Sequence, residues 1–233
     1  FPKVTFIGSL AFGNCYSLTN ASFPSLTSVF ASAFKACSCL TSIYFPALPR
    51  VGSSMFQGCI KLPSASFPEA ITIFPNAFYS CASLSYISAP NVRTIGGSAF
   101  YGCSKLESVC FLSASSLNTS VFYNCYNLNT VILSHSVAVS ASIGSAMFTN
   151  CFNLLSLYLL ASRMYNLNTT AFASTPISGR TASTGGVYGS IFVPSSLYAS
   201  YVSATNWTVY SARIASLTDA QVQNVITYGK HNP

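Results

Sequence analysis

Nine cysteines, two histidines and three acids are the side chains of this 233-residue chain best suited to chemistry, and their spacing decides what they can do. Seven of the cysteines, Cys15, Cys37, Cys59, Cys81, Cys103, Cys125 and Cys151, form one series. Its step is 22 (37−15) up to Cys125 and then 26 (151−125). Metal sites need close Cys or His pairs. The only close pair is Cys37 with Cys39, and the only histidine within the series is His135, so neither a metal nor any other cofactor is expected. Neighbouring thiols about 5 Å apart would lie within bridging range. The same residue at every step reads more simply as a small apolar filler, which favours buried, reduced thiols. Cys39 and Cys110 stand outside the series. Cys110 falls at an outward strand position, where an exposed, oxidisable thiol is expected.

Catalysis finds little support. Glu69, Glu107 and Asp219 sit on three different segments, so no carboxylate pair of the glycosidase kind can be drawn. His135 and His231 lack an Asp partner, and a nucleophile built from Cys110 or Cys125 with His135 is left as a remote alternative. There is no G-x-S-x-G and no P-loop. The net charge of +7 comes from scattered Lys and Arg, with no two adjacent. Nucleic-acid binding needs a clustered stripe and is not expected. No apolar run reaches the roughly 18 residues of a membrane span, so membrane insertion is not expected either. No signal peptide opens the chain. Phe1 to Ala11 read as the back half of a repeat, so a longer parent chain is expected.

The elements that carry these residues follow from the same step. Phe12, Phe34, Phe56, Phe78, Phe100 and Phe122 are spaced by 22 (34−12), and Phe148 and Phe172 continue the series more loosely. A fixed period of roughly 20–29 residues is the mark of a leucine-rich solenoid. Five residues before each Phe stands an aliphatic, from Ile7 and Val29 to Ile143 and Leu167. Six after it stands Leu, from Leu18 to Leu154. Beyond that Leu the period becomes two, as in Ile43 and Phe45 against Ser42 and Tyr44, which predicts a half-buried strand. Pro24, Pro46, Pro68 and Pro90 close four such strands. The A-F-x-x-C segment predicts a single helical or 3₁₀ turn on the opposite side of the coil. The fold class is therefore a repeat solenoid: a parallel β-sheet on one side, short turns on the other, and an array about 35–40 Å long.

The array is expected over residues 1–178 and a loop with a capping segment over 179–233. The period loosens near Ser134–Ser142, read as a bulging loop or short added strand, and Ser178 to Gly189 read as a loop. Ile191-Phe192-Val193 predict one more strand, and Ser195 a helix cap. Trp207 predicts a plug over the last coil. Thr218-Asp219-Ala220-Gln221 predict a capping box for a helix over 219–227, with fraying from Gly229. The outward strand positions form a lawn of small hydroxyls from which Tyr44, Tyr86, Ile132 and Tyr158 stand out as candidate anchors for a protein ligand. Tyr79, Tyr101 and Tyr123 form an alternative surface beside the Phe column, although stacked tyrosines also serve simply to cover coil edges.

The units Ile95-Gly96-Gly97-Ser98-Ala99-Phe100-Tyr101-Gly102-Cys103-Ser104-Lys105-Leu106 and Ala33-Phe34-Lys35-Ala36-Cys37-Ser38-Cys39-Leu40-Thr41-Ser42-Ile43 resemble the BspA-like leucine-rich repeat. The segment from Ile191 to Ile214 is similar to the one that often ends such arrays. The resemblance implies a secreted or wall-attached bacterial protein, a monomer that works by adhesion to a protein or glycan of a host or neighbouring microbe. A spacer that holds other domains off the cell wall is the second reading, because a fold does not fix a ligand.

Overall fold

The computed structural model describes residues 3–135, 141–179 and 188–231. The chain winds into stacked coils, and each 22-residue step of the sequence is one coil. Each coil contributes to two parallel sheets rather than the single one expected. The longer strands run from Asn20–Ser22, Ser42–Tyr44, Ser64–Ser66 and Tyr86–Ser88 to Ser108–Phe111, Thr130–Leu133 and Ser156–Leu159. Ser190–Pro194 and Ile214–Leu217 extend this long-strand sheet. A second sheet is built from two-residue strands, Arg50–Val51, Thr72–Ile73, Thr94–Ile95, Ser116–Leu117, Ser142–Ile143 and Asn166–Leu167, with Phe6–Ile7 and Ser28–Val29 paired ahead of it. The aliphatic column five before each Phe supplies the inward residue of these short strands.

The long-strand sheet is interrupted between Ser42–Tyr44 and Ser64–Ser66, and again between Tyr86–Ser88 and Ser108–Phe111. Pro63 removes one donor at the first break. At the same place in other coils the backbone N–H of Thr41, Ser85, Asn129 and Leu155 donates to the coil before. Proline has no N–H to give.

The A-F-x-x-C turn contains the tight i to i+3 bonds expected, such as Cys59 N–H to the Phe56 carbonyl at 3.0 Å. It is not a helical turn, because residues two before and two after the Phe are left-handed, as at Ser32 (φ 61°) and Ala36 (φ 59°). This explains why Gly, Asn and Ser dominate the position before the Cys. The unusual backbone turns N–H groups toward the next coil: Ser32, Phe34 and Ala36 donate to the carbonyls of Ser53, Met55 and Gln57 at 2.7–3.0 Å. The turn is thus a third hydrogen-bonded ladder.

Inside the coils the Phe column stacks ring on ring, from Phe12 and Phe34 at 5.0 Å to Phe148 and Phe172 at 5.6 Å. From Phe34 on, every ring of that column is fully buried. The ladder cysteines fill the space beside it. Cys37 donates its S–H to the Phe12 carbonyl at 3.0 Å, Cys59 to Phe34, Cys81 to Phe56, and so on to Cys151 and Phe122. All are free thiols. Cys15, which lies in the first coil, is exposed. Thr175 takes the eighth place and turns its hydroxyl to the carbonyl of its own coil, Phe172, at 2.8 Å. No later cysteine follows in the series to accept that role.

The far end is closed by side chains that imitate a further coil. Along the short-strand sheet, carbonyls such as Ile71 and Ile73 accept N–H groups from the next coil. At the last coil the Trp207 indole N–H donates to the Tyr165 carbonyl at 2.8 Å, and the Asn206 amide donates to Leu167 at 2.8 Å. Trp207 is fully buried against Tyr201 and Phe172, so it is the plug the sequence predicts. Helix α1 (Ser195–Ser203) starts from Pro194 with no side-chain cap, so Ser195 is its first helical residue and not its N-cap. Helix α2 (Asp219–His231) has the expected capping box: Gln221 N–H donates to Thr218 Oγ1, and Thr218 N–H donates to Gln221 Oε1. It runs on through Gly229 instead of fraying there. The loops expected over Ser134–Ser142 and Ser178–Gly189 fall largely outside the described residues.

Candidate binding faces

Three surfaces of the solenoid present side chains in register, and each can be built from its columns. The first is the outer face of the long-strand sheet. Period-two alternation turns Asn20, Ser22, Ser42, Tyr44, Ser64, Ser66, Tyr86 and Ser88 outward. Tyr44 is 56% exposed and Tyr86 38%. They stand two coils and two strand positions apart, about 12 Å between Cα atoms. Small hydroxyls surround both rings.

The other two residues predicted on this face are placed differently. Ile132 is only 3% exposed, and Cys110 beside it 5%. Helix α2 lies across the outer face here, and Val222, Val225 and Ile226 pack with Cys110, Leu112, Ile132, Leu160, Phe192 and Leu217 into a small second core. A Cβ added to Gly229 would stand 2.5 Å from Cys110 Sγ, so the helix approaches the sheet as closely as glycine permits. The expected exposed thiol at Cys110 is therefore corrected: it is buried, and burial pushes it up to about 11. Tyr158 is half-buried and stacks on Phe192 at 4.6 Å. It lines a cleft of about 480 Å³ between the sheet and α2, with Ser108, Thr130, Asn224 and Tyr228. The structure thus keeps Tyr44 and Tyr86 on one open face, and places Ile132 and Tyr158 in a covered one.

The second surface is the tyrosine column. Tyr79, Tyr101 and Tyr123 stack in parallel at 4.7 and 4.8 Å. All three are half-buried, and burial between its neighbours raises the Tyr101 hydroxyl pKa. They present edges more than faces.

The third surface has no counterpart in the sequence predictions. It is the outer side of the short-strand sheet, where Phe6, Phe30, Ile71 and Phe74 are exposed. The signal was available four residues before each Phe, in the series Gly8, Phe30, Gly52, Phe74, Gly96. Reading only the long strands as sheet hides that column.

The groups suited to catalysis do not converge. Glu69, Glu107 and Asp219 are exposed on separate segments, and His135 is buried edge-on to Tyr165 at 5.1 Å. Among the described residues no three His, Cys, Asp or Glu side chains gather to hold a metal ion. No described helix is long and apolar enough to cross a membrane.

Coils that share two parallel ladders and an interior Phe, Cys and Leu column define a leucine-rich-repeat solenoid. The family model for the BspA type leucine rich repeat region matches residues 1–76 and 71–184 in six copies, and the chain belongs to that family. A comparison with curated proteins found no match. Among solved structures, the chain is similar to a leucine rich repeat protein of T. pallidum at 24% identity and TM-score 0.47, over 70% of this chain and 67% of that one. It is also similar to a leucine-rich repeat protein from Bacteroides ovatus at 16% identity and TM-score 0.45, over 92% and 76%. A leucine rich cell surface protein from Faecalibacterium prausnitzii aligns at 18% identity and TM-score 0.36, over 96% and 79%.

Proposed function

We propose that this chain is a non-enzymatic recognition module of a bacterial surface protein, one that adheres to a protein or glycan of a host or neighbouring microbe. The observation that carries the reading is the unequal finish of the long-strand face. Helix α2 covers the outer face around Cys110 and Ile132, while Tyr44 and Tyr86 stand open on a hydroxyl lawn. Exposed aromatics on a rigid repeat surface are suitable anchors, because a tyrosine offers a large contact area with few rotors to order. The surrounding serines supply hydrogen bonds without bulk. Membership of the family supports a cell-surface setting.

The test is a binding screen of the full chain against matrix proteins and mucin glycans, repeated with Tyr44→Ala and Tyr86→Ala. Each substitution should weaken a bound ligand at least about tenfold if its ring is an anchor. No binding to any ligand would favour a spacer that only presents other domains. A ligand that binds both variants unchanged would move the surface elsewhere.

A further inference from the structure

On the short-strand face one coil has no side chain between two exposed phenylalanines. Phe30 and Phe74 occupy the same column two coils apart, and the coil between them has Gly52. Two coil steps are about 9.6 Å, so a ring held midway would sit about 4.8 Å from each neighbour. That is the spacing at which this protein stacks its own half-buried tyrosine column, 4.7 Å for Tyr79 on Tyr101 and 4.8 Å for Tyr101 on Tyr123. Phe30, Gly52 and Phe74 line one cleft of about 450 Å³ with Ile71 and Pro49, and Gly52 lies buried at its floor. Phe30 is 53% exposed and Phe74 38%.

Packing does not demand this glycine. A Cβ on Gly52 would meet nothing closer than the Phe30 carbonyl at 3.4 Å, which is ordinary contact. The next glycine of the column differs, since a Cβ on Gly96 would lie 2.4 Å from the Pro75 nitrogen. Gly96 is required by the backbone, whereas Gly52 leaves a gap that a side chain of this chain would otherwise fill.

The cleft has one charge. Arg50 lies in the same coil as Gly52, two residues earlier, so it points to the same side about 6.6 Å away. It is exposed, no acid lines the cleft with it, and no ion pair engages it among the described residues. The whole chain has an excess of seven positive charges.

We propose that this cleft is a docking site for an extended acidic peptide, a segment of a partner protein in which an aromatic residue and a carboxylate two positions away face the same side. The aromatic ring completes the column between Phe30 and Phe74, and the carboxylate meets Arg50. The two-residue offset matches because an extended peptide has the same rise per residue as the coil. This surface is separate from the one containing Tyr44 and Tyr86, and it stands or falls independently of that reading.

The test is an amide NMR titration of the full chain with the blocked peptide Glu-Ser-Trp-Ser. Resonances of Phe30, Gly52 and Phe74 should shift together, and that of Tyr44 should not. Replacing the peptide's Trp by Ala should weaken binding at least about tenfold. Replacing its Glu by Gln should weaken it about two- to fivefold, the range of an exposed ion pair. Gly52→Phe should fill the column, keep the thermal midpoint and abolish the shifts. Where that variant does not fold, Phe74→Ala, an exposed change, serves instead and should also abolish them. The proposal is overturned if the Gln or a Lys peptide binds as well as the Glu peptide. It is overturned equally if Gly52→Phe binds unchanged, if the shifts fall elsewhere, or if an acidic oligosaccharide shifts these resonances and the peptide does not.

Discussion

Raising the pH from 7.5 to 9.5 should weaken this fold by several kcal/mol, and the cause is the cysteine column. Burial raises the thiol of Cys59 from the ordinary 9.0 to about 12, and those of Cys81, Cys103, Cys125 and Cys151 also stand well above it. The neighbouring sulfurs add to this in most of the five, because a second thiolate in the column would face the first. In the unfolded chain these thiols ionise near their ordinary value, while in the folded chain they stay protonated. Stability is therefore intact below about pH 8 and falls as the pH climbs past 9 toward the folded values. At pH 9.5 each thiol contributes a loss of roughly 1 kcal/mol, and the raised thiols, with Cys37 and Cys110 counted among them, several kcal/mol together. That is a large share of the 5–15 kcal/mol typical of a domain. The assay is urea denaturation at both pH values, followed by circular dichroism. A chain with Cys81, Cys103 and Cys125 replaced by Ala should lose roughly 2–3 kcal/mol less over the same interval. If that triple variant does not fold, Cys103→Ser alone should recover roughly 1 kcal/mol of the loss. An unchanged midpoint at pH 9.5, or a loss of equal size in the variants, would refute the reasoning.

Four further outcomes follow from particular contacts. Trp207→Ala should cost about 3–5 kcal/mol and should raise amide hydrogen exchange in the short strand at Asn166–Leu167 before that at Thr94–Ile95, because the plug supplies donors only to the last coil. Gly229→Leu should lift α2 from the sheet, read as Cys110 becoming reactive to a thiol reagent at pH 7.5, while the native chain reacts only at Cys15 and Cys39. Tyr165→Phe should be neutral or stabilising by up to about 1 kcal/mol, since its buried hydroxyl has no hydrogen-bond partner among the described residues. Tyr201→Phe should instead cost about 1 kcal/mol in a thermal melt, because the Tyr201 hydroxyl accepts the Tyr165 N–H at 2.9 Å.

The coil itself is legible in the sequence because its period is strict and its columns are chemically narrow. The Phe, Cys and Leu positions keep one kind of side chain through the first seven coils, so their repetition fixes which residues face inward. The second sheet is less legible, since a strand of two residues leaves no alternation to count. The left-handed turn positions are hidden for another reason: Ser and Asn occupy them more often than Gly, and the ladder of N–H groups to the next coil holds them there. The covering of Ile132 and Cys110 was written in the chain but needed two observations at once. Strands Ser108–Phe111 and Thr130–Leu133 are apolar on both sides, unlike Asn20–Ser22 or Ser64–Ser66. A sheet buried on both faces reads in this way. The apolar Val222, Val225 and Ile226 of α2 were the matching half, spaced by three and four as one helix face requires.

That pairing also decides where recognition can occur. A parallel sheet with an apolar outer face must be covered, and α2 does this over the coils of Cys110, Ile132 and Phe192. In that column the earlier coils have Ser22, Tyr44, Ser66 and Ser88, each with a hydroxyl, so they stand in water with no cover. The same coils, on their short-strand side, contain the exposed Phe30, Phe74 and Ile71. Singly exposed apolar residues are normal, but a contiguous group that the fold does not cover marks a contact surface. Coils from Phe30 to Tyr86 thus have two unlike faces back to back, one hydroxyl-rich with two tyrosines and one apolar with a single arginine. A rigid array lets both be engaged at once, because neither face contributes to the interior that holds the coils together.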